Sequence, residues 1–425
     1  MSNVNGSKVA SFYSGKSVFV TGGTGFVGKT LIEKLLYSCS GIDKIYVLVR
    51  DKDGKQASER LARITSSQVF DRLKGSRNEE LKKITVISGD ITRECLGLSD
   101  DILKILEDEV SVVFHLAATV AFKLPLKDAM RININGTENV IDLCRRMKKL
   151  EAFVHVSTAF TNTDRKYIGE EVYPMPMNLE SARVFAEMYS HNDEIVSKFM
   201  GKKPNTYTFS KAFAEEQVMK QCEVLPTAIV RPSIVISAIK EPCPGWIDTW
   251  NGATGLFIGM SVGALKVIQG KGTNITDLVP VDIVTNLIII ATFDCRSKQI
   301  RVYNCCTGRS NPITCDGAGI ITRRVAHRFS LSKFVGVGKV LSINILLFFY
   351  RQRKLQSRLK KVIDAVKFFL LNEWKFSDEN VINLVNTMTS ADRETFNIDV
   401  HSINWETCIR DFILGTRKYL LNLDK

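Results

Sequence analysis

The sequence predicts an α/β chain built on a doubly wound parallel sheet, followed by a helical C-terminal region. Three observations carry that expectation. A glycine-punctuated turn sits between an apolar strand and a helix near the N-terminus, in "VFVTGGTGFVGKTLIEKLL". Short apolar runs then alternate with helical periodicity up to about residue 235, the pattern of a parallel sheet with covering helices. Residues 335–425 read as helical.

A chain of 425 residues, 45% hydrophobic and 24% charged, can bury a large core without being unusual in composition. No repeat or low-complexity tract interrupts it. Its net charge of +13 admits nucleic acid, a membrane surface or a polyanionic small molecule as partner. The basic residues are scattered apart from "YRQRKLQSRLKK" at 350–361, which lacks the aromatic interleaving of a nucleic-acid module, so nucleic acid is set aside. The ten cysteines show no metal-ligand spacing and read as reduced, mostly buried thiols. "MSNVNGSKVASFYSGK" lacks the apolar centre of a signal peptide. No run of about eighteen apolar residues marks a spanning helix. The nearest stretch, "FVGVGKVLSINILLFFYRQRK" (334–354), carries a lysine and a basic flank and reads as a buried or interfacial helix.

Taken in order, residues 18–21 form a buried strand and 22–28 a tight turn. Residues 30–37 form a helix with Leu31, Leu35 and Leu36 apolar. Thr21, Gly22, Gly25, Phe26, Val27 and Gly28 are the candidate cofactor contacts here. Gly22 permits the turn, Gly25 lets a pyrophosphate approach the backbone, and Gly28 lets helix pack on strand. Unpaired amides at the helix start favour phosphate. The next strand, "KIYVLVR" (44–50), ends in Arg50 followed by Asp51; a guanidinium there suits a 2′-phosphate and points to NADPH. "VISGDI" (86–91) and "VVFHLAATV" (112–120) read as two more strands. Asp90, with Ile91 beside it, is placed either to meet an adenine edge or to serve as a strand-end turn residue. Ala117 and Ala118 are small enough to let a dinucleotide pass.

A helix opening at Asn133, "NINGTENVIDLCRRM", leads to the strand "FVHVSTAF" (153–160), which carries Ser157 and Thr158. Tyr207 and Lys211 follow in "NTYTFSKAFAEE", and then the strand "AIVRPSIV" (228–235), whose Pro232 and Ser233 complete the candidate cofactor contacts. A hydroxyl at a strand end, a Tyr-x-x-x-Lys on the next helix and an Arg-Pro strand are the ordered parts of a reductase site. The hydroxyl holds a carbonyl oxygen and the tyrosine protonates it. The lysine lowers the phenol's pKa and grips the cofactor ribose.

At this point the chain resembles the fatty acyl-CoA reductases of insects, within the extended short-chain dehydrogenase/reductase family. "TGGTGFVGKTLIEKLL", "YVLVR", "HLAATVAF", "NINGTENV", "HVSTAF", "YTFSKAFAEE" and "IVRPSIVISAIKEPCPGWIDTWNGATGL" carry the likeness, joined by "DLVPVDIVTN" and "FNIDVHSINWETCIRDFILGTRKYLL". The resemblance implies an extended Rossmann fold and a membrane-associated enzyme that reduces a long-chain fatty acyl-CoA to a primary alcohol with two NADPH. It matches Thr158 first and Ser157 second to the hydroxyl, and Tyr207 and Lys211 to the acid and its helper. It also implies a cytosol-facing membrane, the endoplasmic reticulum or alternatively the peroxisome; the terminal "NLDK" is no peroxisomal address. "GATGLFIGMSVGALKVI" (252–268) is either an acyl-chain lining or a core helix. The phosphates of coenzyme A give the positive balance a partner.

Two departures stand out: the stretch 311–370 is short between the counterparts of Phe349 and Arg351, and Cys315 replaces the usual tryptophan after "NPIT". We expect a catalytic nucleotide-binding domain at 10–310, with a helical cap between Thr163 and Pro204, and a C-terminal helical domain at 335–425. An epimerase or a reductase of a sterol or nucleotide sugar is the rival enzyme reading, and a non-catalytic NADPH-binding regulator the rival non-enzyme.

Overall fold

The computed structural model describes residues 6–422 apart from 52–58, 60–61, 63–64, 262–264, 266–267, 296–298, 330–362 and 365. Seven strands make one sheet: β1 (Ser17–Thr21), β2 (Lys44–Val49), β3 (Ile84–Ser88), β4 (Val110–His115), β5 (Ala152–Val156), β6 (Thr227–Pro232) and β7 (Arg301–Cys305). Their order is β7-β6-β5-β4-β1-β2-β3, and every neighbouring pair is parallel. β1, β4 and β6 are buried at every position, which is why they read as unbroken apolar runs rather than alternating ones. The chain runs outward from β1 to β3 and returns to β4 on the other side of β1. The order therefore reverses between β1 and β4, where sheets of this kind open a ligand crevice at the strands' carboxyl ends.

Helices α1 (Phe26–Ser38), α2 (Asp100–Glu109), α3 (Gly136–Arg146) and α4 (Thr206–Gln221) follow strands β1, β3, β4 and β5 in the chain. Leu103 and Leu106 of α2, Val140 and Ile141 of α3, and Val218 of α4 share one cluster with Phe19, Val113, Phe153, Ile229 and Val302 of the sheet. Each such side chain contributes about 1.5–3 kcal/mol of burial.

Three of the apolar runs extend past their strands. β3 ends at Ser88, β4 at His115 and β5 at Val156, so Asp90, Ala117, Ala118, Ser157 and Thr158 all fall in the loops at the carboxyl edge. The run 228–235 divides as well. β6 ends at Pro232, whereas Ile234–Ile236 pairs in parallel with Leu278–Pro280 in a separate small sheet.

The chain forms two compact units, each assembled from three separate stretches. The first comprises Met1–Ser233, Asp282–Cys306 and Phe376–Asp399, and holds the seven-stranded sheet. Between Thr163 and Pro204 it has helices Leu179–Tyr189 and Asp193–Met200, started by Asn178 and Asn192, whose side chains accept from Ser181 N and Ile195 N. Ala182, Ala186 and Val196 pack there with Phe209 and Phe213 of α4. A cavity of about 220 Å³ is lined by Met175, Met177, Phe199, Met200 and Phe209, with Arg165 and Lys203 in its polar lining.

The second unit comprises Ile234–Val281, Thr307–Lys375 and Val400–Lys425. It is mainly helical: Thr254–Ser261, Cys315–Arg328 and Trp405–Gly415 pack against one another. The Phe257 and Phe412 ring centroids are 5.1 Å apart. The segment 315–328 is helical despite its two glycines because Thr314 caps it, accepting from Gly317 N at 3.0 Å. The described part of 252–268 is a core helix with Leu256 and Phe257 buried. The apolar stretch 334–354 and the basic cluster 350–361 lie outside the described residues. Among the described residues, no helix is long and apolar enough to cross a membrane.

Candidate active site

Helix α4 sets the geometry. Asn205 is extended (φ −165°, ψ 166°) and its side chain accepts from Thr208 N at 2.9 Å, so the helix starts at Thr206 and holds Tyr207 in its first turn. Tyr207, Lys211 and Glu215 then follow at intervals of four along one face. The Tyr207 ring stacks on Phe122, with ring planes 25° apart and centroids 6.0 Å apart.

The side chain of Thr158 lies near enough to the tyrosine hydroxyl to lower its pKa. Thr158 caps the short 3₁₀ turn after β5: its Oγ1 accepts from Phe160 N at 3.3 Å and donates to Pro232 O at 3.4 Å. Ser157, one residue earlier, has its amide on Val230 O at 2.7 Å, while its buried hydroxyl has no partner. Of the two hydroxyls, Thr158 is the one that lowers the phenol's pKa.

Burial pushes the Tyr207 phenol up to about 12; the nearby Thr158 hydroxyl lowers it and the Glu215 charge raises it. Burial likewise lowers the Lys211 ammonium to about 8, with Glu215 opposing. This differs from the expected tuning of phenol by lysine. Lys211, 2% exposed, reaches back to the sheet, donating to Val156 O at 2.8 Å and pairing with His155 Nε2 at 3.1 Å. Glu215 is itself clamped by Arg231 of β6, at 2.8 and 2.7 Å, in an ion pair with both side chains out of solvent. Arg231 also donates to Gly169 O and Glu171 O at 3.1 and 2.8 Å.

The crevice between β1 and β4 is cut to backbone dimensions. Gly22 has φ +76°, and a Cβ on it would lie 2.6 Å from Ala117 N. A Cβ on Gly28 would lie 2.2 Å from Gly22 O, so this glycine seats the helix start against the turn itself. Gly25 precedes α1 without a side-chain cap, so the helix opens toward the crevice at its N-terminal end, the end that favours a phosphate.

A run of oriented groups ties the crevice floor together. Ala117 N donates to Thr21 Oγ1, which lies 2.7 Å from His115 Nδ1. On the other side, His115 Nε2 lies 3.1 Å from Thr137 Oγ1, which donates to Asn133 O at 2.7 Å. Because Thr137 gives its proton to that carbonyl, it must accept from Nε2, so His115 is the neutral Nε2–H tautomer and Nδ1 accepts from Thr21. Burial agrees, holding the imidazole down at about 3. Asn133 accepts from Thr119 N at 2.8 Å and donates to Ser210 Oγ of α4 at 2.9 Å. It joins the crevice to the helix that carries Tyr207.

The remaining expected contacts sit as follows. Arg50 stands at the end of β2, its side chain 54% exposed and 3.9 Å from Asp90 Oδ2. Asp90 closes a local turn, accepting from Thr92 N and Thr92 Oγ1, each at 2.9 Å. Ile91 is a core residue, and a Cβ on Gly136 would lie 2.6 Å from its Cδ1. Pro232 offers its carbonyl to Thr158, and Ser233 has a buried hydroxyl without a partner. The sequence reading missed His155, Glu215 and His115. The available signal was a polar residue inside an otherwise apolar strand, in "FVHV" and "VVFH".

A NAD-binding family model described as "Male sterility protein" matches residues 20–288, and a second model of the same description matches 340–423. Fatty acyl-CoA reductase 1 of Homo sapiens is 37% identical over 447 residues, covering 97% of this chain and 86% of that protein. Fatty acyl-CoA reductase 2 of Mus musculus is 34% identical over 450 residues, covering 98% and 87%. Among solved structures, the terminal R domain from the myxalamid PKS-NRPS biosynthetic pathway has a TM-score of 0.65 at 20% identity, covering 95% of this chain and 91% of that one. That likeness shows the fold. The glycine cradle, the uncapped start of α1 and the NAD-binding match agree on a nicotinamide cofactor and an oxidoreductase. On identity and coverage together, the chain belongs to the fatty acyl-CoA reductase family.

Proposed function

We propose that this protein reduces long-chain fatty acyl-CoA to the primary alcohol, using two NADPH, at a cytosol-facing membrane surface of the endoplasmic reticulum, with the peroxisome as the alternative. The observation that carries the reading is Tyr207 in the first turn of α4, one helical turn from the buried Lys211 and beside Thr158, at the carboxyl edge of the sheet. The first-turn amides of α1 and the glycines suit the pyrophosphate. Ala117 and Ala118 suit the passage of the dinucleotide, and Arg50, at the end of β2, suits a 2′-phosphate. A reduced nicotinamide bound there supplies hydride to the thioester carbonyl carbon.

Thr158 holds the carbonyl oxygen and Tyr207 protonates it, giving a hemithioacetal. Breaking its C–S bond releases aldehyde and the coenzyme A thiol. The aldehyde then meets the same hydroxyl and phenol in a second reduction. The basic excess of +13 gives the coenzyme's phosphates counter-charge.

The test incubates purified protein with NADPH or NADH and a ladder of acyl-CoAs, resolving alcohol by chain length and free thiol. Alcohol and thiol formed with NADPH support the reading; neither forming sinks it. Tyr207→Phe should bind NADPH nearly as before and lose roughly 10²–10⁴-fold in turnover. Full activity in that variant would remove the phenol from the chemistry.

A further inference from the structure

We propose that His155 is a positioning residue for Lys211, its Nε2 taking one proton of the ammonium so that the amine is fixed in the face it shares with Tyr207. This deepens the reading of Tyr207 and Lys211 as the catalytic pair and rests on it. An ammonium has three protons to give and accepts nothing. Two of Lys211's are directed at the sheet, to Val156 O at 2.8 Å and His155 Nε2 at 3.1 Å, which leaves one for a ribose hydroxyl or the phenol.

The tautomer follows from the donor. Because Lys211 donates, Nε2 carries the lone pair and Nδ1 carries the hydrogen. That Nδ1 has no hydrogen-bond partner, although His155 is 0% exposed. A buried donor left unpaired is costly, so an imidazole here is a poor choice for stability alone, in a strand whose neighbouring residues are valine and phenylalanine. An imidazole does supply a neutral acceptor of fixed reach that adds no counter-charge beside the phenol.

The surroundings keep it neutral. His155 faces Lys211 from α4 and, with ring centroids 5.3 Å apart, His115 from β4. Burial first and then these two groups hold its pKa well below the ordinary histidine value. Lys211 in turn feels Glu215, which is paired with Arg231. An acceptor on the ammonium favours its charged form, so losing that acceptor moves its deprotonation to lower pH.

The experiment compares His155→Gln, whose amide reaches the place of Nε2, with His155→Asn, whose amide reaches only that of Nδ1. Each is assayed in the full chain with NADPH and hexadecanoyl-CoA across pH. His155→Asn should lower kcat by about 10²-fold, as expected for a misplaced catalytic group. Its KM for the thioester should hold within about threefold, and the alkaline limb of kcat should move by about one pH unit toward acid. His155→Gln should keep most of the rate and the limb. Wild-type rate and limb in His155→Asn, or equal losses in both variants, would overturn the assignment. Tyr207→Phe is run beside them: if it retains turnover, the site reading itself has failed, whereas an inactive Tyr207→Phe with an unaffected His155→Asn sinks only the role of His155.

Discussion

A phenol partly withdrawn from water holds its proton tightly. With Tyr207 pushed up to about 12, the acid is loaded at any physiological pH, and its strength in catalysis must come from groups that stabilise the phenolate. Thr158 lowers the phenol's pKa and Ser157 does not, so the adjacent hydroxyls make a direct test. Thr158→Ala should cost roughly 10²-fold or more in kcat, while Ser157→Ala, removing a hydroxyl without a partner, should stay within about threefold. Equal losses would undo the assignment.

Lys211 adds a stability consequence at the same scale. Its folded pKa of about 8 lies below the 10.5 of the open chain, so between those values the unfolded chain binds more protons and stability rises with pH. Below pH 8 the cost of the buried ammonium is fully present. Lys211→Met should therefore abolish turnover yet resist urea better than wild type at pH 7, by about 1–2 kcal/mol, with the gain shrinking toward pH 10.

At the scale of the element, α4 serves as the site's frame. Phe209 and Phe213 seat it among the helices at 179–200, and Arg231 clamps Glu215 from β6. Removing one partner of a buried ion pair strands the other charge, at a cost of about 3–5 kcal/mol. Arg231→Met should therefore destabilise by that order in chemical denaturation. The double variant Arg231→Met with Glu215→Leu should recover much of the loss, because two apolar groups of similar size leave no charge behind. If the single variant melts like wild type, the clamp is not structural.

For the whole molecule, contacts between distant parts of the chain close the first unit. The Glu170 carboxylate accepts from Asn304 N of β7 at 3.1 Å and from Asn380 N, opening the helix Glu379–Thr387, at 2.6 Å. Burial raises Glu170 from 4.5 to about 7. Between those values the folded chain holds more protons than the unfolded one, so this group's contribution falls as pH rises and is lost above 7. Relative to wild type, Glu170→Gln should gain about 1–3 kcal/mol between pH 4.5 and pH 7.5 in urea titrations. A difference independent of pH would contradict the shift.

The strand–turn–helix around Gly22, Gly25 and Gly28, the parallel sheet and the Tyr207–Lys211 spacing were all readable in the sequence. They depend on local periodicity and on backbone conformations that few residues adopt. The element ends were less legible, because the apolar runs continue into half-buried loops at the carboxyl edge. The resemblance already ranks Thr158 ahead of Ser157, whereas two things needed the tertiary structure: the decision between Asp90's two readings, and the attachment of Lys211 to His155. The first depends on how the loop after β3 closes on itself, and the second on which side chains from separate elements meet in space and how completely they are shielded from water. Spacing along a chain sets which face a residue occupies; only packing supplies the neighbour and the dielectric that decide its chemistry.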